Sequence, residues 1–195
     1  MPEGEQRLFV AVPLPPEAVA DCATLIDPVR LGPLGRVPRW VQLGTLHLTV
    51  RFLGPTAPDR VAQVEDAVVS VAASAGPFDV ELAGAGAFPD DRRPRTLWLG
   101  IDRGASELGT LASRLNVLLT PLGWPADDRP YRPHLTVARL DAAPRADGVA
   151  VADELRAAAD GWRTAFRADE VVLFRSHLGG GPPRHEAVRR VALAG

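Results

Sequence analysis

The sequence predicts an α+β fold made by duplication, two lobes related by a pseudo-twofold with a central cleft between them. Three observations carry that prediction. The tetrapeptide His-Leu-Thr-Val occurs twice, at 47–50 and 134–137, with its histidines 87 residues apart. RLFVAV, beginning at Arg7, has a counterpart in RTLWLGI, beginning at Arg95, an offset of 88. Around these blocks one order of patterns recurs: strand, helix, HLTV strand, helix, strand.

Taken in order, the apolar run after Arg7 reads as the first strand, and Pro15 and Pro16 suit the first turn of a helix over about 15–29. HLTV at 47–50 is the next strand. An alanine- and valine-rich stretch, 58–75, reads as the second helix, and a partly alternating strand follows near 78–88. The polar segment FPDDRRP, 88–94, crosses to the second half, which runs from about 95 to 175 against about 7–88 for the first. There Leu108, Leu111, Leu115, Leu118 and Leu119 form a stripe at helical spacing over 105–120. A proline-rich passage, 121–133, leads into the second HLTV, and a helix over 148–160 and a strand within 163–175 complete the repeat. A last strand near 185–192 is expected to pair back onto one half, with Gly179, Gly180 and Gly181 in a mobile loop before it. The whole chain, 1–195, reads as one bilobal domain.

Composition removes several chemistries. All 22 basic residues are arginine, so there is no lysyl-adenylate, no lysine Schiff base and no P-loop lysine. Cys22 is the single cysteine, which excludes an internal disulfide and any cysteine-based zinc site and fits a reducing cytoplasm. The opening residues lack a basic start followed by a long apolar run, so the expectation is a cytoplasmic protein without an export signal or a membrane partner. With a net charge of −2, nucleic acid would have to be met by a local arginine cluster.

Because side chains alternate along a strand, His47 and Thr49 share one face, as do His134 and Thr136, while Leu48, Val50, Leu135 and Val137 anchor the other. Two such strands facing a cleft supply two imidazoles and two hydroxyls around one small anion. Imidazoles on opposite sides of phosphorus suit in-line displacement: one takes a proton from water, the other gives one to the departing oxygen. Threonine hydroxyls donate to non-bridging oxygens, and arginine offsets the charge that builds there. Histidine and threonine at i, i+2 do not make a metal-ligand set, so neither metal nor cofactor is expected. Strict alternation points Arg51 at the cleft and Arg139 away from it unless a bulge intervenes. His177 and His185 read as solvated loop residues, Asp90, Asp91, Asp127 and Asp128 as loop and cap residues. Trp40, Trp98, Trp124 and Trp162 are core candidates, with room for one at the cleft rim to stack on a base.

The paired His-x-Thr-x motifs, with RLFVAVPLP, LHLTVRFLG, RRPRTLWLG and YRPHLTVAR in order over about 7–192, resemble the 2H phosphoesterase superfamily, and within it the bacterial RNA 2′,3′-cyclic phosphodiesterases, also called 2′-5′ RNA ligases. The resemblance implies an antiparallel sheet in each lobe with helices outside. It implies His47 as proton donor, His134 as proton acceptor, and Thr49, Thr136 and Arg139 as substrate-binding residues. The implied reaction is hydrolysis of an RNA 2′,3′-cyclic phosphate end, or of a small cyclic nucleotide, to a 2′-phosphomonoester by a monomer. Ligation to a 2′-5′ bond and non-catalytic binding of RNA ends are the alternatives. Two departures stand out: Gln42 to Thr45 replaces the family's Pro-x-Asn-like turn, and His185 stands where tyrosine is common.

Overall fold

A computed structural model describes residues 5–126, 129–141, 143–177 and 184–195. In chain order its elements are β1 (Gln6–Pro13), α1 (Pro16–Arg30), β2 (Arg39–Trp40), β3 (His47–Thr56), α2 (Val61–Ala73), β4 (Phe78–Phe88), β5 (Thr96–Arg103), α3 (Ala105–Leu119), β6 (Leu135–Arg139), α4 (Arg145–Ala158), β7 (Arg163–Ala168), β8 (Glu170–His177) and β9 (Arg184–Ala192). Pro15 caps α1 and Pro16 opens it, where a missing N–H costs nothing. Gly104, with φ of 90°, opens α3, because a Cβ there would lie 2.8 Å from the Asp79 carbonyl oxygen. The expected strand within 163–175 is two, broken at Asp169. The expected glycine loop at 179–181 lies outside the described residues.

The strands run β7-β4-β5-β6-β3-β1-β8-β9, with β2 added beside β6. Every pairing is antiparallel. The order reads symmetrically from its middle: β3 and β1 answer β6 and β5, and β8 answers β4. The strand that closes each sequence repeat has therefore crossed to the opposite lobe, β4 onto β5 and β8 onto β1. As expected, β9 pairs back, onto β8.

Helices cover the sheet from outside, α1 packing with α4 and α2 with α3. Each turns one apolar stripe inward, Ala18, Cys22, Leu25, Ile26 and Val29 on α1 and Leu108, Leu111, Ala112, Leu115 and Leu119 on α3. Beneath them the strands contribute Leu48, Leu97, Leu99 and Leu135, all inaccessible to solvent. Among the described residues no helix is long and apolar enough to cross a membrane.

The two repeats superpose in the ladder as well as in order. Val12 pairs with Leu48 and Leu99 with Leu135; Ala11 pairs with Thr49 and Trp98 with Thr136; Val10 pairs with Arg51 and Leu97 with Ala138. Each equivalence is an offset of 87, one less than the alignment of RLFVAV with RTLWLGI suggests. Both ladders carry a bulge at the same place, so Val50 has no partner on β1 and Val137 has none on β5. Past the bulge the faces exchange. Arg51 is buried and donates to the carbonyl oxygens of Trp124 (2.7 Å) and Pro125 (3.1 Å), whereas Arg139 is exposed in the cleft. This corrects the strict-alternation expectation for both arginines.

Arg51 thus grips the passage that delivers the second HLTV strand. Arg51→Met strands two carbonyl groups and is expected to lower stability by about 2–4 kcal/mol, while Arg139→Met on the exposed face should change it by no more than about 0.5 kcal/mol. Urea unfolding of the two variants would check the ranking; equal losses would contradict the opposite facing of the two side chains.

Candidate active site

The two lobes meet where β3 pairs with β6, and the partners there are Leu48 and Leu135. These are equivalent residues of the two repeats, so the pseudo-twofold axis passes between them. Both side chains point into the core, and their sequence neighbours point into the cleft. Antiparallel register then sets His47 across from Thr136 and Thr49 across from His134. Standard strand spacing puts the two histidine Cα atoms about 8 Å apart across the axis. His47, Thr49, His134, Thr136 and Arg139 all line one cavity of about 820 Å³.

Each imidazole is held in the same way. Nδ1 of His47 lies 2.8 Å from the Thr45 carbonyl oxygen, and Nδ1 of His134 lies 2.7 Å from that of Arg132. A carbonyl only accepts, so Nδ1 carries the proton and Nε2 is the free basic nitrogen in both. The carbonyl lies two residues upstream of the histidine in both repeats, at the end of a 3-10 turn (Leu43–Thr45) before His47 and in irregular backbone before His134. Aromatic rings fix the remaining freedom: Phe9 stands 4.9 Å from the His47 ring, and Phe88 stands 4.9 Å from His134, edge-on at 84°. Phe88 is itself set by Trp98, 5.3 Å away, whose indole lies so close to Gly86 that a Cβ there would meet the ring at 2.4 Å. That packing requires glycine.

Burial pushes the His47 pKa down from 6.5 to about 4; the Thr45 carbonyl opposes the shift, and His185 and Arg139 add to it. His134 is also lowered, by burial first and by Arg139 in addition, against the Arg132 carbonyl. Both shifts favour the neutral imidazole. An anion placed between them supplies the charge that protonation needs.

The threonines are half-buried in the cavity wall. The Thr49 carbonyl accepts from the Tyr131 hydroxyl at 2.9 Å, so Tyr131 and Arg51 both tie the passage before His134 to the bulged part of β3. Burial raises the Tyr131 pKa, which keeps that donor protonated.

Other sequence expectations divide. Asp90 does act as a loop cap, accepting from the backbone N–H groups of Arg92 and Arg93 at 2.8 and 3.0 Å. Asp91 pairs with Arg156 at 2.9 Å, while Asp127 and Asp128 lie outside the described residues. Trp124 is buried under the Arg60 guanidinium, and Trp40 is the tryptophan at the cleft rim. His177 pairs with Glu186 at 2.7 Å. His185 is not a solvated loop residue: on β9 opposite Ser176, its ring stands edge-on to His47 at 5.3 Å and to Phe9 at 5.0 Å. Burial lowers its pKa. Sequence reasoning also passed over Phe9, Phe52 and Phe88, because an aromatic in an apolar strand carries no mark of which face it takes. The departure from tyrosine at 185 was the available signal for His185.

Known proteins place this arrangement. A family model described as the 2′-5′ RNA ligase superfamily matches residues 15–180. An RNA 2′,3′-cyclic phosphodiesterase of Geobacillus stearothermophilus is 31% identical over 187 residues, 96% of this chain and 57% of that protein. The chain spans somewhat over half the length of the first curated relatives it matches. Among solved structures, TT0787 of Thermus thermophilus superposes with a TM-score of 0.77 at 27% identity, covering 97% of this chain and 98% of that one. Escherichia coli LigT complexed with 3′-AMP gives 0.73 at 26% identity over 98% and 99%. With the family model covering most of the chain, and the duplicated His-x-Thr strands inside the matched span, this protein belongs to the 2′-5′ RNA ligase superfamily of 2H phosphoesterases.

Proposed function

We propose that this chain, as a single bilobal domain in the cytoplasm, hydrolyses 2′,3′-cyclic phosphate ends of RNA to 2′-phosphomonoesters, using two histidines and no metal or cofactor. The observation that carries the reading is the symmetric pair of imidazoles, each with Nδ1 committed to a backbone carbonyl and Nε2 left for the cleft. The activity for which the relatives are named and the 3′-AMP complex of LigT support the substrate class.

In this reaction the His134 Nε2 removes a proton from water as the water oxygen bonds to phosphorus in line with the departing O3′. As the P–O3′ bond breaks, the His47 imidazolium delivers its Nε2 proton to O3′. Thr49 and Thr136 donate to the non-bridging oxygens, and Arg139 offsets the charge that grows on them. The anionic diester also brings a negative charge that opposes the effect of burial and favours the protonated form of His47. Solvent exchange then returns the proton from His134 to His47.

The direct test is turnover of an oligonucleotide ending in a 2′,3′-cyclic phosphate in excess chelator, followed by phosphorus NMR. His47→Ala and His134→Ala are each expected to lower kcat by about 10²–10⁴-fold. Full activity in the double variant would defeat the mechanism. A non-catalytic binder would retain the ligand and return it unchanged.

The pH dependence follows from the direction of the shifts. The kcat/KM profile reports the free protein, in which one histidine must be neutral and the other protonated, and both titrate below the ordinary value. Its bell is expected to centre on the acid side of about 6.5. The kcat profile reports the substrate complex, where the phosphate charge favours imidazolium, and should lie at higher pH. Coincident profiles centred above neutrality would contradict the burial-driven shifts.

A further inference from the structure

Beside His47 lies a second cavity, of about 570 Å³, a size that encloses a small organic group. It opens where β1 ends at Pro13 and α1 begins at Pro16, with β8 and β9 running alongside. Thr45, His47 and His185 line this cavity and the cleft alike, so the two spaces share a wall. In that wall the His185 ring stands edge-on to His47 at 5.3 Å. Its Nδ1 is buried with no hydrogen-bond partner among the described residues, which leaves Nε2 as the nitrogen that can reach a ligand.

The lining of the second cavity suits a neutral group with polar edges better than a free anion. Both arginines in it are committed, Arg190 to Glu170 and Arg167 to Asp79 at 2.9 Å. The carboxylates of Glu17 and Asp169 make no hydrogen bond or ion pair among the described residues. A carboxylate only accepts, so these two call for donors such as ribose hydroxyls or an exocyclic amine. The proline rings and Phe174 offer apolar surface beside them. A nucleoside combines those properties: apolar faces, with hydroxyl and amine donors at the edges.

We propose that this cavity binds the nucleoside preceding the cyclic-phosphate nucleotide of an RNA end, and that His185 donates from Nε2 to the phosphodiester between the two, so that an oligonucleotide end is preferred to a small cyclic nucleotide. This rests on the cyclic phosphodiesterase reading above, in which O3′ faces His47. In a ribose 2′,3′-cyclic phosphate the O3′ side is the C4′ side, and the rest of the RNA hangs from C4′ through C5′ and O5′. The chain therefore leaves the cleft past His47, over the wall that His185 shares with the second cavity. Neighbouring imidazoles then meet neighbouring phosphates, His47 the cyclic one and His185 the next along the chain. A neutral imidazole with its proton on Nε2 is donor enough for a diester oxygen, and the committed arginines do not compete for it. Binding energy gathered away from phosphorus in this way holds the reacting ring in place between the two catalytic imidazoles.

The experiment measures kcat/KM on three compounds: adenosine 2′,3′-cyclic phosphate, the same nucleotide carrying a methyl phosphodiester on O5′, and the adenylyl dinucleotide ending in the same cyclic phosphate. Wild type is expected to gain about tenfold on addition of the phosphodiester, the scale of one hydrogen bond to a charged group, and to gain again on addition of the preceding nucleoside. His185→Phe should erase the first gain, and His185→Tyr, whose hydroxyl can donate, should keep it. Ala187→Trp, at an exposed position on β9 whose side chain lines the second cavity but not the cleft, should fill that cavity and erase the second gain alone. Equal kcat/KM on all three compounds in wild type overturns the proposal. So does a gain that survives its substitution, including a variant that loses the same factor on every compound, which marks a structural role. Wild-type protein that turns over none of them overturns the underlying cyclic phosphodiesterase reading instead.

Discussion

The pairing of Leu48 with Leu135 is the constraint on which the rest of this molecule depends. Two equivalent residues can oppose each other only where the twofold passes between them, and both are fully buried, so their strand neighbours face the cleft without exception. A slip of one residue between β3 and β6 would turn the slipped strand's leucine into the cleft and its histidine into the helical layer. Burying an imidazole among Leu97, Leu99 and the helix stripes costs far more than any neighbouring register gains. The hydrophobic layer thus enforces the geometry of the polar one, although neither Leu48 nor Leu135 reaches the cleft.

The shared bulge is the second device. A straight continuation of β3 would aim Arg51 into the cleft, and a straight β6 would bury Arg139. One extra residue in each strand reverses both assignments. It sends Arg51 inward to hold the backbone at Trp124 and Pro125, and Arg139 outward to the cavity. The same device thus serves delivery of His134 in one lobe and charge supply in the other, which is how a duplicated frame comes to have unequal halves.

Much of this was legible in the sequence, and the reason is periodicity. The repeated HLTV and the recurring strand–helix order survive as patterns because a strand buried on one face needs alternation and an outer helix needs its stripe. The crossing of β4 and β8 to the opposite lobes was not legible, since the same apolar pattern satisfies either neighbour. Nor was the bulge: Val50-Arg51 and Val137-Ala138 read as ordinary alternation until the partner strand is seen, so Arg51 was expected in the cleft. The resemblance placed Arg139 where parity alone did not. His185 lies some 50 residues from the nearer motif, and what joins it to His47 is the pairing of β9 with β8 and of β8 with β1, a long-range ladder with no local signature.

Electrostatics completes the asymmetry. His134 is bordered edge-on by Phe88, at 84°, and His47 by His185, at 88°, so similar steric roles fall to an apolar ring in one lobe and to a titratable one in the other. His47 is strongly displaced toward neutrality, yet in the proposed reaction it is the group that carries the proton. The two statements agree if that proton is retained only when an anion occupies the cleft. A free protein with a permanent imidazolium at His47 would attract any phosphate ion to the site. One whose acid form is favoured only beside a bound anion ties that form to occupation of the cleft, and gives up the charge once the anion leaves.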